Sequence, residues 1–472
     1  MKNTLIRHAT IVTVNSKREI FFDGAMLLRG DRIVQVGEDS EIFPGIETDR
    51  DHVEIIDGSN KIIFPGFVNT HNHLFQTLMK GLGDDMCLKD WLSTMTFPAS
   101  SQLTEEDCYY AALTGLLESL HSGVTTSLDY MYPHPVEGLD RGVLRAMDDL
   151  KVRAVFARGC MDTGAQFGVD PRIMESSAQI EKRVTAIFDA YKENPKIKIW
   201  VAPAALWSNT SKNLEMLWEL TQTYKGGFTC HISETMFDRN AVEQLHKDTE
   251  LDFLKKHGIV GPNVLMVHCV YLTSQDIYFA AEHGMTVSHN PVSNMYLSSG
   301  VAPIPQMLKS GLTVSLGVDG AASNNGQDFI ELMKTTSLLQ KVHTLNPEII
   351  SAEKVLEMAT IDGAKALCME KEIGSLEPGK KADFFIFNPQ LNPKAVPVHN
   401  PVSTLIYSST MQNVESVFVD GEALLLDGKI TSVNEPVVLK KMQERAEKLA
   451  DRAGILNRGS GHPWVNPYEA RN

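Results

Sequence analysis

The stretch Phe64-Pro65-Gly66-Phe67-Val68-Asn69-Thr70-His71-Asn72-His73 decides how this chain is read. Pro65-Gly66 marks where the segment begins, and apolar or small residues then lead into a His-x-His pair. Residues i and i+2 of an extended strand point to the same side. His71 and His73 therefore project together, as two imidazoles sharing one metal ion must. With histidine at 15 of 472 positions, roughly half of one such pair is expected by chance, so the context has to carry the claim.

That context begins with size. A chain of 472 residues has room for one large domain of about 300 residues and a smaller one. The 43% hydrophobic content supports a sizeable core and excludes wholesale disorder. The net charge of −15, spread without an acidic block, argues against nucleic acid or an anionic membrane as partner. Six cysteines, at 87, 108, 160, 230, 269 and 368, show no C-x-x-C spacing and read as reduced, mostly buried thiols. The N-terminus has no apolar signal core, and no run approaches the ~18 apolar residues of a membrane span. The expected location is cytoplasmic.

Outward from the opening stretch, two textures alternate along the chain. Residues 1–61 read as short strands, among them Ala9–Val14 and Ile33–Val36, closed by the turn Asp57-Gly58. From Phe64, apolar runs of five to eight residues alternate with longer stretches of helical period, the pattern of parallel strands buried between helices. Eight runs are present: Phe64–His71, Val124–Tyr130, Arg153–Cys160, Lys198–Ala205, Gly227–Glu234, Asn263–Val270, Met285–Pro291 and Leu312–Gly320. The spacing predicts helices between them, including Glu105–His121, Ala241–His257 and Asp328–Val342, with Ala352–Leu367 following. Eight such units over some 300 residues predict an α/β fold, a (β/α)8 TIM barrel over 62–369. Strand-like text returns over 370–432, in Ala382–Phe387 and Val414–Val419. It pairs most economically with 1–61 into a small β-sandwich, because either half alone leaves open edges. A helix near Pro436–Ala453 and an irregular tail, Gly461–Asn472, make up 433–472.

In a barrel of this kind chemistry collects at the C-terminal ends of the strands. His71 and His73 end the first run, His231 the fifth, His268 the sixth, His289 the seventh and Asp319 the eighth. One such residue is usually a satisfied core side chain; six at the same end point to a shared site. Imidazoles and a carboxylate from strands one, five and eight leave a coordination position for water, as a catalytic metal requires. The N/O donor set suits Zn²⁺, with Fe²⁺ as the alternative, and either would bring bound water toward a pKa of ~7. Glu234, three residues past His231, can reach the same cavity as a proton carrier without being a ligand.

The segments Pro65–His73, His231-Ile232-Ser233-Glu234, Val267-His268-Cys269-Val270, Pro291-Val292-Ser293-Asn294, Gly317–Asn324 and Met358–Ala364 together resemble the amidohydrolase superfamily. The resemblance is to its branch of triazine hydrolases, guanine-type deaminases and S-adenosylhomocysteine deaminases. It covers nearly the whole chain, including the turn Gly379-Lys380-Lys381-Ala382-Asp383 and the tail Asn466-Pro467.

The resemblance implies one metal held by His71, His73, His231 and Asp319. It also implies that His268 orients the attacking hydroxide, that Asp319 takes the water proton, and that Glu234 protonates a ring nitrogen beside the attacked carbon. Gln76 matches a glutamine aimed at a heterocycle edge, Leu88 and Trp91 lie in the long first loop where a flat ring can stack, and His289, Asn294 and Ser323 lie near the same rim. Dechlorinating and triazine-deaminating relatives carry Asn or Asp after the metal aspartate, whereas this chain has Gly320, which turns the reading toward deamination. The expected activity is therefore hydrolytic deamination of an aminated nitrogen heterocycle: a guanine-like purine, a pyrimidine or an s-triazine. Deamination of S-adenosylhomocysteine, 5′-methylthioadenosine or adenosine is the alternative, triazine dechlorination comes third, and a non-catalytic scaffold is remote because every ligand position is filled. The expected partners are a small heterocyclic substrate and further copies of the chain.

Overall fold

A computed structural model describes residues 3–46 and 53–455; the predicted tail Gly461–Asn472 and its Asn466-Pro467 lie outside them. Eight parallel strands form the barrel: Phe67–Asn69, Val124–Met131, Arg153–Cys160, Ile197–Pro203, Phe228–Ile232, Val264–His268, Thr286–His289 and Thr313–Leu316. Their order in the sheet is their order in the chain. The ring closes between the last and first strands, where Thr70 N–H donates to Leu316 C=O (3.0 Å) and Asp319 N–H to His71 C=O (3.0 Å). Every residue of the second and third strands is buried, as expected for strands covered on one side by the barrel interior and on the other by helices.

The deciding stretch divides in the structure. Ile62–Pro65 is not barrel: it pairs antiparallel with Phe384–Phe387 and parallel with part of Asn3–Val12. The barrel strand starts only at Phe67. Gly66 is the switch, since a Cβ there would stand 2.1 Å from the Thr125 side chain on the second strand. Only glycine allows the two sheets to approach this closely.

The N- and C-terminal segments join as expected, through one continuous nine-stranded sheet. Ile33 near one end of that sheet and Phe418 near the other share a core with Ile6, Met26 and Phe384. The sheet therefore curls back on itself to enclose its apolar face. Of the predicted strand Ala9–Val14 only residues 9–12 are strand, as the end of the longer Asn3–Val12, which bends where His8 takes a left-handed φ of 57°.

Helix Glu105–His121 matches its predicted span and opens with a Thr104/Asp107 capping box. Two predicted helices are each two. Ala241–His257 becomes Met236–His246 and Glu250–Lys256, because Lys247 turns left-handed and Thr249 caps a new start. Ala352–Leu367 breaks at Thr360. Among the described residues no helix is long and apolar enough to cross a membrane.

Candidate active site

The nitrogen and oxygen ligand atoms of His71, His73, His231 and Asp319 all lie within 4.8 Å of one another at the C-terminal mouth. His71 and His73 follow the first strand, strand five delivers His231, and Asp319, at a left-handed φ of 63°, follows strand eight in the short strand Asp319–Gly320 that pairs with Asn72–His73. Asp319 Oδ1 stands 3.1 Å from His71 Nε2 and 3.3 Å from His73 Nε2. His73 Nδ1 is 2.5 Å from the Tyr130 carbonyl, and His231 Nδ1 is 2.5 Å from that of Ala204. A carbonyl can only accept, so both Nδ1 atoms carry the proton. In the neutral rings both Nε2 atoms then expose lone pairs, and they face each other at 3.3 Å. Two bare lone pairs at that distance repel, whereas a cation between them binds both.

The surroundings keep the His71 and His231 rings neutral. Burial lowers the pKa of His71 to about 3, and burial with the neighbouring rings drives His231 well below its ordinary value. Burial works against charge on Asp319 too, but the His71 and His73 imidazoles beside its Oδ1 hold its pKa well below the usual carboxylate range. Neutral imidazoles and an ionised carboxylate are the protonation states a divalent metal selects.

Beside this cluster stand two further groups. His268, also at a left-handed strand end (φ 69°), places Nε2 3.5 Å from Glu234 Oε2 and 3.8 Å from Asp319 Oδ2. Its Nδ1 donates to Asn294 Oδ1 at 2.8 Å. Burial opposes charge on His268, yet the two carboxylates outweigh it and raise its pKa. Burial pushes Glu234 up to about 7, and Ser299 Oγ donates to its Oε1 at 2.9 Å.

Residues 62–424 match the amidohydrolase family. The chain belongs to that family. It is 36% identical to the 5′-deoxyadenosine deaminase of Methanobrevibacter smithii over 95% of this chain and 98% of the relative. It is 33% identical to the 5-methylthioadenosine/S-adenosylhomocysteine deaminase of Desulforamulus reducens, over 96% and 100%. Among solved structures, an adenosine deaminase from Xanthomonas campestris with bound zinc superposes with a TM-score of 0.88 at 23% identity, covering 95% and 99%; at that identity it speaks for the fold.

In this amidohydrolase a cavity opens directly above the cluster. Gln76, Leu88, Trp91, Ser323, Glu234 and His268 all line it. Trp91 is anchored as well, donating from Nε1 to the Ala322 carbonyl at 3.1 Å. Ser323 Oγ reaches Asp319 Oδ2 at 3.3 Å. His289 and Asn294 do not line the cavity. His289 is fully buried behind the mouth, and Asn294 spends its side-chain oxygen on His268. His289 ends the seventh strand, deeper than the loop that follows it, whereas Asn294 lies on the helix Pro291–Tyr296 with its side chain turned to His268. Sequence reasoning missed Tyr132, Ser208 and Asp238 as lining residues, and Ser299 as the partner of Glu234, while Trp207 lines the cavity too. Only Trp207, just past the fourth strand, carried a signal.

Proposed function

We propose that this amidohydrolase is a metal-dependent hydrolytic deaminase of adenosine-type nucleosides modified at the 5′ position. The sequence reading put a guanine-like base first and such nucleosides second; full-length likeness to two deaminases named for 5′-modified adenosines supports the reverse order. Gly320 also weighs against dehalogenation, because the Gln76 amide fills the space any side chain at 320 would need. The chemistry is carried by one observation: Glu234 and Asp319 meet at His268 inside a single buried cavity.

His71, His73, His231 and Asp319 would hold the divalent ion, Zn²⁺ on this donor set with Fe²⁺ the alternative, which supplies a water acidified toward neutral pH. Asp319 Oδ2, the oxygen turned toward His268, accepts the proton of the attacking water. His268 offers its Nε2 side to the charge that grows on the oxygen. Glu234, protonated near neutrality, delivers its proton to the ring nitrogen beside the attacked carbon, so that nitrogen does not have to carry the electron pair as an anion. Asp319 then hands that proton to the departing amino group, the hydroxyl left on the ring carbon gives its own proton back to Glu234, and the products are ammonia and a ring carbonyl. Leu88, Trp91, Phe97 and Met161 supply apolar walls for the flat ring.

The test is ammonia release from 5′-deoxyadenosine, 5′-methylthioadenosine, S-adenosylhomocysteine, adenosine, guanine, isocytosine and melamine. The 5′-modified nucleosides are expected to react fastest. Glu234→Gln should slow turnover by roughly 10²–10⁴-fold with metal content unchanged. A preference for guanine or melamine, or a Glu234→Gln enzyme at full rate, would sink the reading.

A further inference from the structure

Tyr132 lies one residue past the second barrel strand, is 4% exposed, and lines the cavity. Its ring stands edge-on to His73 (5.2 Å between centroids) and to Phe75 (5.1 Å), so its position is fixed by packing. Its phenolic oxygen accepts the Nε2–H of Gln76 at 3.2 Å. Its own proton meets no acceptor among the described residues. Gln76 is held by shape: a Cβ at Gly320 would stand 1.7 Å from Gln76 Oε1, and that oxygen has no hydrogen-bond partner. Tyr132 on one side and the bare backbone of Gly320 on the other therefore set the amide. A buried O–H whose oxygen is already used is a donor waiting for an acceptor, and leaving it unmet costs free energy.

The ring of strands says where that acceptor lies. Strands eight, one and two are neighbours, and strands five and six stand across the barrel from them. Gly320, Gln76 and Tyr132 follow strands eight, one and two; Glu234 and His268 follow or end strands five and six. A 6-aminopurine whose C6 sits over the ligand cluster and whose N1 faces Glu234 turns its C5–N7 side to the opposite wall. N7 has a lone pair and no hydrogen, so it can only accept.

We propose that Tyr132 O–H donates to N7 of the purine, with Gln76 as the residue that positions the phenol and Gly320 as the residue that makes room for Gln76. This rests on the nucleoside reading above and deepens it. The contact favours purines over pyrimidines and s-triazines, which have no five-membered ring to present that acceptor.

The experiment is a cycle of two enzymes and two substrates: wild type and Tyr132→Phe, each with 5′-deoxyadenosine and 7-deaza-5′-deoxyadenosine, in which N7 is replaced by C–H. Metal content is measured for every sample. Tyr132→Phe should lower kcat/KM on 5′-deoxyadenosine by about 10- to 100-fold, with little further loss on the 7-deaza substrate. Comparing one enzyme preparation on two substrates cancels any loss of folded protein or metal. Equal losses on both substrates, or none on either, would overturn the inference while leaving the deaminase reading in place. A wild-type enzyme that releases ammonia from no aminopurine nucleoside would strike down that reading, and the N7 contact with it.

Discussion

At the N-terminal end of the barrel, the buried Arg153 guanidinium meets Asp383 at 2.7 and 3.1 Å and Asp420 at 2.5 Å. At the other end, equally buried, three imidazoles crowd a single carboxylate and two of them face each other lone pair to lone pair. The first cluster matches each charge with its opposite. It ties the third barrel strand to two adjacent strands of the small sheet, at the start of Phe384–Phe387 and the end of Val414–Val419, and the aspartates hold the arginine charged despite burial. The second matches like with like and is incomplete until something positive enters. Buried polar groups that satisfy one another stabilise a fold; buried polar groups that leave one another wanting mark a binding site.

The contrast can be broken in three places. The largest effect is expected at the mouth: His231→Ala should bring turnover to background and strip the bound metal. The melting temperature of the metal-free protein should not fall, since the change removes an opposed lone pair. Metal analysis and calorimetry of the stripped protein check both halves, and a clear drop in stability would show that the cluster is structural. Arg153→Ala should do the reverse. It strands the buried Asp383 carboxylate, while Asp420 keeps Lys381 at 3.4 Å and Lys196 at 3.7 Å, and should cost about 3–5 kcal/mol in denaturant unfolding, with the rate per folded molecule unchanged. The smallest effect concerns His134, whose pKa burial and the nearby Arg158 lower from 6.5 to about 3. The folded protein resists protonating this ring while the unfolded chain does not. Its contribution to stability is therefore full above pH 6.5 and lost as pH falls from 6.5 toward 3, by at most about 1.4 kcal/mol per pH unit. His134→Gln should flatten that part of the stability–pH profile; an unchanged profile would place the acid sensitivity elsewhere.

How far the sequence could be read depended on how local each signal was. All eight barrel strands fall within their apolar runs or within one residue of them, because burial on two sides keeps those runs mostly apolar. The first run failed at one end: Ile62–Pro65 is as apolar as Phe67–Asn69, and only the partner strand tells them apart. The split at Thr249 was hidden because helical period runs on through a cap. Its consequence is visible only in space, where the turn carries Glu250 to the Ser233 amide at 3.0 Å, next to the mouth. Tyr132 and Ser299 carried no motif, and their roles come from what stands opposite them. His289 looked like a rim residue because its position along the strand matched the others, although depth, which sequence does not encode, set it apart.

Read alone, the chain determined which side chains would gather at one end of a parallel barrel, since strand period and strand count settle both the facing and the end. The tertiary structure decided which of those side chains are left short of partners. That depends on contacts such as the 3.1 Å between His71 and Asp319, 248 positions apart, and no local pattern carries it.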